Sequence, residues 1–377
     1  MRISIPAEDR FRSHLEAYEA QHQDIICVFY QQSSWQACSL LGYIHFARIL
    51  QLTDPRDRIY AFLDLADDSS NELRVVPNYN DPPSKVYRDF ATQYVSTTGD
   101  VNILQYVKHD ENLSTSSTTT WVPEWDRKGD DNMTSFVSSA DNYPALSSRS
   151  EEICRPEVID GIILKARGVI IDSVQSLSNV LQERTTTPAV LFELWKMYRA
   201  TAPEIPYESS YLFEAFFDAL AMSSFYGDIS QWHQDRRAYI TMFQRLTSEM
   251  DETKELVWDT NEVAELQSSL VHNLIAEMTS GKRFMITKRG YIGLAPDVTG
   301  EDDLCGIIFG CTSPCMLRGT SSEGHYIFVG SSFMLGKSYG NFSDTDIDRV
   351  TFNRCFGVEA SKDWLEWDIE EQDIYLC

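Results

Sequence analysis

Apolar residues recur at helical spacing in three stretches of the first hundred residues. Leu40-Leu41-Gly42-Tyr43-Ile44-His45-Phe46-Ala47-Arg48-Ile49-Leu50 closes a helix-compatible segment that begins near residue 8. Ile59, Phe62, Leu63 and Ala66 then fall at i, i+3, i+4 and i+7, behind Thr53-Asp54-Pro55, where Thr53 or Asp54 can cap a helix and Pro55 suits its first turn. Asp81-Pro82-Pro83 announces a third helix with the stripe Val86, Phe90, Ala91, Tyr94 and Val95. Between 158 and 174 the period changes. β-Branched residues dominate Ile162-Ile163-Leu164-Lys165-Ala166-Arg167-Gly168-Val169-Ile170-Ile171, which predicts a strand pair with a bulge or bend at Gly168. Helical spacing returns from about 187 to 280, with Leu191, Leu194, Trp195 and Tyr198 on one face and Leu212, Phe213, Phe216, Phe217 and Leu220 on another. After Gly281, short β-rich pieces at 284–287, 291–294, 304–309, 315–318 and 326–329 alternate with Gly, Pro and Asp turns, the texture of a small barrel or sandwich.

The expected fold class is therefore α+β, a mainly helical body with a small C-terminal β-barrel-like domain. The expected divisions are a helical region over 1–110, a Ser/Thr-rich loop over 111–155, short strands followed by the helical body over 156–280, a small β domain over 281–345, and an acidic tail over 346–377. Within the loop, Trp121-Val122-Pro123-Glu124-Trp125 stands out. A tryptophan can bury about 150–250 Å2, so Trp121 and Trp125 are expected to plug the core and not to stack on a ligand.

Charge narrows the function. With 57 acidic against 32 basic residues the formal charge is −25, which repels a phosphate backbone and disfavours nucleic-acid partners. No run reaches the ~18 apolar residues of a membrane span, and the N-terminus turns acidic at Glu8-Asp9 before a signal-peptide core develops, so a cytoplasmic protein with no membrane partner is expected. The eight cysteines are sparse and mostly flanked by apolar residues, as Cys27 is, and read as core thiols.

Candidate chemistry is thin. Gly330-Ser331-Ser332-Phe333-Met334-Leu335-Gly336-Lys337-Ser338 ends like a phosphate-binding loop but has five residues between its glycines where four are needed, and Tyr339-Gly340-Asn341 is a poor helix start. Cys305, Cys311, Cys315 and His325 lack a Cys-x2-Cys knuckle. None of the seven histidines stands in a nucleophile signature. The expectation is no catalytic, cofactor or metal site and no enzymatic activity. Asp54, Arg56, Asp57 and Arg58 form a dense charged constellation; it reads either as a capped helix with ion pairs that fix an angle, the favoured reading, or as a contact surface for another domain.

Four blocks in order, Thr53-Asp54-Pro55-Arg56-Asp57-Arg58-Ile59-Tyr60-Ala61-Phe62-Leu63, Pro77-Asn78-Tyr79 with Val86-Tyr87-Arg88-Asp89, Trp121-Val122-Pro123-Glu124-Trp125, and the β-rich segment with Gly281-Lys282-Arg283-Phe284, Gly290-Tyr291-Ile292-Gly293-Leu294 and Ile308-Phe309-Gly310-Cys311, resemble the region that follows the effector domain in fungal heterokaryon-incompatibility (HET) proteins. The resemblance covers roughly residues 40 to 345. Asn341 stands where the family tends to carry an acidic residue, and Asn78 replaces a frequent Asp. The family's N-terminal effector signature has no counterpart before Asp54. What the resemblance implies is an accessory, recognition region in non-self recognition and programmed cell death, acting through protein partners such as an intact HET-family protein. A cytosolic hydrolase with an unrecognised Cys or carboxylate site, or a truncated gene model without independent function, are the alternatives.

Overall fold

Strands from three distant stretches of the chain share one sheet, and helices cover it. In the computed structural model the described residues are 40–46, 48, 52–63, 73, 75–109, 113, 119–127, 155–202, 205–222 apart from 208, 224, 229–248, 260–336 apart from 312, and 369–377. They all fall in the compact unit Ser39–Cys377. The predicted helix over 8–50 is described only at its end, and Cys27, Ala66, Lys337, Ser338 and most of the Ser/Thr-rich loop lie outside the described residues.

The described helices are α1 (Leu40–Phe46), α2 (Asp57–Tyr60), α3 (Pro83–Thr98), α4 (Pro188–Thr201), α5 (Leu212–Leu220), α6 (Ile229–Ser248), α7 (Thr260–Ser268) and α8 (Leu270–Thr279). Helix α3 starts where its prolines dictate, with Pro82 as the extended N-cap and Pro83 at the first helical position. It stops at Gly99, whose φ of 71° supplies the left-handed turn that closes a helix. Its predicted stripe is buried in full, together with Tyr87. Helix α4 is capped by Thr187, whose hydroxyl accepts from the Val190 N–H, and α8 by Ser269, which accepts from the Val271 N–H. Together α4 to α8 bury Leu191, Tyr198, Phe216, Phe217, Phe243 and Ile275 against the sheet in one continuous core.

The strands are β1 (Glu157–Ile159), β2 (Ile163–Leu177), β3 (Lys282–Thr287), β4 (Ile292–Pro296), β5 (Leu304–Ile308), β6 (Cys315–Gly319), β7 (His325–Ser331), β8 (Phe333–Met334) and β9 (Gln372–Leu376). The fifteen-residue β2 organises the rest. It forms a hairpin with β1, pairs antiparallel with β9 over Leu164 to Gly168, with β5 over Gly168 to Ser173, and with β3 over Val174 to Leu177. The ladder continues from β5 to β6, from β6 to β7, and from β7 to β9 in parallel, so these pairings return to β2 as a closed circuit.

Two expectations change here. The β-rich segment after Gly281 does not complete its own sheet: β2, read with the body, and β9, read as part of an acidic tail, both belong to the circuit. The reason is hydrogen-bond closure, since β5 and β7 would otherwise present open edges. Nor does Gly168 mark a bulge. The register shifts lie at Ile170/Asp172 and Val174/Ser176, and Gly168 instead lets backbones meet: a Cβ there would sit 2.3 Å from the Ile307 carbonyl oxygen and 2.8 Å from Ile374 Cδ1. Gly168→Ala is expected to cost about 1–3 kcal/mol through overpacking, read as a lower denaturant midpoint; unchanged stability would show that the strands can separate without cost.

Candidate interaction surface

The charged constellation does not cap a long helix. Helix α2 is a single turn whose N-cap, Arg56, makes no side-chain cap bond. Asp54 folds back locally: its carboxylate accepts from the Arg56 N–H at 2.9 Å and from the Arg56 guanidinium at 2.8 and 2.7 Å. That bond from the guanidinium, more than any other cause, holds the Asp54 carboxyl below its usual range. The expected apolar stripe is met at Ile59 and Phe62, which are buried.

Arg56 then reaches across 25 residues of sequence. Its Nη1 donates to the Asp81 carbonyl at 2.9 Å and to the Tyr79 carbonyl, and the guanidinium lies 5.3 Å from the Tyr79 ring centroid. Tyr79 answers by donating its hydroxyl to Asp57 at 2.6 Å, which raises the phenol's pKa. The Tyr60 hydroxyl accepts from the Asn78 N–H at 3.1 Å, and the Tyr60 and Tyr79 rings meet edge to face at 5.3 Å. Lys85 bridges Asp81 and Asp89, both at 2.8 Å. Two sequence blocks that read as separate motifs are thus one clasp between α2 and the entry to α3. Tyr79 (52% exposed) and Val76 (80%), three residues before it in the chain, are two of the few large apolar side chains in water among the described residues.

Arg58 stands apart from the other three. It is half-buried near Tyr87 and Asp126, its Nη1 has no hydrogen-bond partner, and it makes no ion pair among the described residues, so the expected ion pairing holds for Arg56 but not for Arg58. Burial lowers its pKa.

Trp121 and Trp125 are fully buried. Trp121 Nε1 donates to the Ile162 carbonyl at 2.9 Å, which ties the 121–125 segment to the β1–β2 turn. Trp125 packs 5.4 Å from Tyr106 and lies under the Arg48 guanidinium at 5.0 Å. Arg48 Nη2 also donates to the carbonyls of Glu124 (2.9 Å) and Tyr106 (3.2 Å), so one buried cation pins two chain segments. Burial, helped by the nearby charge of Arg58, lowers its pKa to about 10. The His45 ring packs tilted against Tyr106, centroids 5.2 Å apart; burial first and Arg48 second push its pKa down to about 3. The sequence pattern did not single out Arg48 or His45. The available signal was a cation and an imidazole inside the apolar run Tyr43 to Leu50, where long charged side chains are rarely buried without a purpose.

The remaining motifs resolve into strand. Gly330 and Ser331 end β7, Phe333 and Met334 form β8, and Phe333 to Leu335 are buried, so the described part of the glycine-rich stretch is strand where a phosphate loop would curl; its Lys337 and Ser338 lie outside the described residues. Cys305 and Cys315 are buried in β5 and β6, where desolvation raises both thiols and makes thiolate chemistry unfavourable. His325 stacks on Tyr375 at 4.9 Å. Among the described residues no three His, Cys, Asp or Glu side chains converge to hold a metal ion, and no helix is long and apolar enough to cross a membrane.

Residues 214–352 match the family model described as the Het-6 beta-barrel domain. This family is associated with HET proteins, and the match bears out the resemblance drawn from the sequence blocks. It marks the chain as related to heterokaryon incompatibility. No curated protein and no solved structure matches the chain.

Proposed function

We propose that this chain is a non-enzymatic accessory and recognition region of a heterokaryon-incompatibility protein, working in the cytoplasm through protein contacts in fungal non-self recognition and programmed cell death. The observation that carries the reading is the family match over 214–352. The circuit through β2, β5, β6, β7 and β9 supports reading the β portion as a small barrel, with β2 and β9 supplied from outside the matched residues. The contact surface is the region of Asp54, Arg56, Asp57 and Arg58, of which the first three form the clasp with Tyr79. Its ion pairs are satisfied internally, so it is a preformed platform, and exposed Val76 and Tyr79 supply the apolar area a protein partner would cover. An intact HET-family protein is the proposed partner.

Two measurements test this. Induced expression of the chain in a fungal strain deleted for intact relatives is expected to leave growth and vital-dye exclusion unchanged; death in that background would favour an enzymatic activity. In addition, Val76→Asp combined with Tyr79→Ala is expected to destabilise the chain by about 1–2 kcal/mol, because Tyr79 loses its bond to Asp57 and its contacts with Arg56 and Tyr60 while Val76 stands largely in water, and to reduce association of the folded chain with an effector-bearing relative at least tenfold. Full association by the double variant would remove the clasp from the interface.

A further inference from the structure

The slot filled by β9 is built by segments that hold together without it. One wall, β2, is also paired with β1, β3 and β5; the other, β7, is paired along its far edge with β6. Withdrawing β9 therefore leaves two supported strands with open hydrogen-bonding edges, the arrangement that accepts an added strand. The end of the slot is made by Thr120, whose N–H and hydroxyl both donate to the Cys377 carbonyl, while the Cys377 N–H donates to Tyr326.

The slot also reads side chains. Glycine at 168 makes room for Ile374, which is fully buried, as is Leu376 on the same face. On the other face Tyr375 lies flat on His325 with Lys165 5.8 Å from its ring. Lys165 pairs with Asp373 at 3.2 Å, and Arg167 with Asp373 at 3.4 Å and Glu371 at 3.9 Å. A basic wall thus faces an acidic strand, and the recognised peptide has the form acidic-x-acidic-Ile-Tyr-Leu. β9 is bound to β7 at only two register positions, so its hold rests mainly on β2.

We propose that the slot between β2 and β7 is a strand-accepting site that the tail of a second copy of this chain fills, giving a homodimer joined by exchanged tails. The contacts are identical in cis and in trans, so chain concentration decides the balance.

The test uses two full-length variants. One carries Lys165→Glu and Arg167→Glu, which makes the slot acidic; the other carries Glu371→Lys and Asp373→Lys, which makes the tail basic. Each alone repels its own tail, and only a reciprocal exchange between the two restores every charge pair in one half and the native pairs in the other. At about 0.15 M salt, where surface charges on separate copies are screened beyond ~8 Å, mixing is expected to give a 1:1 heterodimer by light scattering at concentrations where each variant is a monomer. A fluorescent peptide of residues 369–377 is expected to bind the acidic-slot variant about tenfold more weakly than the same peptide with both acidic residues changed to Lys. Should either variant fail to fold alone, the pair is refolded together from denaturant; a folded heterodimer supports the exchange, and aggregate alone overturns it. A mixture that stays monomeric, while a chain carrying all four changes is as stable as the parent, would also overturn it by showing that the tail serves only its own slot.

Discussion

Replacing Trp125 or Trp121 by alanine is expected to lower the unfolding free energy by about 3–5 kcal/mol in each case, against the ~5–15 kcal/mol that holds an ordinary domain together. Both indoles are fully buried, so each truncation leaves a cavity the size of two rings, and the surrounding segments are tied elsewhere and collapse only in part. Trp125 has the further role of lying beneath Arg48, whose guanidinium is bonded to the Glu124 and Tyr106 carbonyls. Losing the ring opens that cation to water and loosens α1, the short helical turn Asn102–Tyr106 and the 121–125 segment together. Trp121→Phe should cost less, since it keeps much of the bulk and loses the bond to Ile162, a difference of about 1 kcal/mol for a typical hydrogen bond on top of the smaller ring. Chemical denaturation followed by far-UV circular dichroism reads all three. Alanine variants with native stability and a lost partner would convert the plug into a binding surface.

Stability is expected to fall steadily as the pH drops from 7 to 5, with His45 as the principal source. In the folded chain its pKa is held at about 3, against 6.5 in an exposed chain, by burial and by Arg48. The unfolded state therefore binds a proton below pH 6.5 that the folded state refuses. The cost grows by about 1.4 kcal/mol for each pH unit below 6.5, reaches about 2 kcal/mol at pH 5, and levels off only near pH 3. His109 and His272 add to the same slope, both lowered chiefly by burial. His109 Nε2 donates to the Phe328 carbonyl at 2.8 Å, which offsets part of the effect of burial, and His272 Nδ1 meets the Tyr239 hydroxyl at 2.9 Å. Urea midpoints at pH 7, 6 and 5 measure the effect. His45→Phe keeps an aromatic ring against Tyr106 and removes the titration, so its slope should be shallower by close to one proton. An unchanged slope would remove His45 from this role.

Local signals were enough for most elements. Pro82-Pro83 and Gly99 bound α3 because each restricts or frees the backbone by itself, and the β pieces after Gly281 coincide with β3 to β7 because alternation and turn residues act over a few positions. The family resemblance was legible for the same reason, as short ordered blocks that the match over 214–352 supports in its last part. The pairing of those blocks was less legible. Nothing within Asp54-Pro55-Arg56-Asp57 says that Arg56 will bond the Asp81 carbonyl, nor that Tyr79 will close the clasp on Asp57.

By itself the sequence determined where helices begin and strands alternate, that the tryptophans must leave water, and that the surface is strongly acidic, because these follow from backbone sterics, burial of apolar area and summed charge. Only the tertiary structure decided that Gly168 is a contact point between strands, that Arg48 and His45 are buried against Trp125 and Tyr106, and that the acidic tail ends in a strand of the sheet. Each of those depends on which distant backbone supplies the missing hydrogen bond or neighbour. Tail residues Asp373 to Leu376 look like a solvated acidic end until Lys165 and Arg167, more than two hundred positions earlier, provide the counter-charges and β2 provides the ladder.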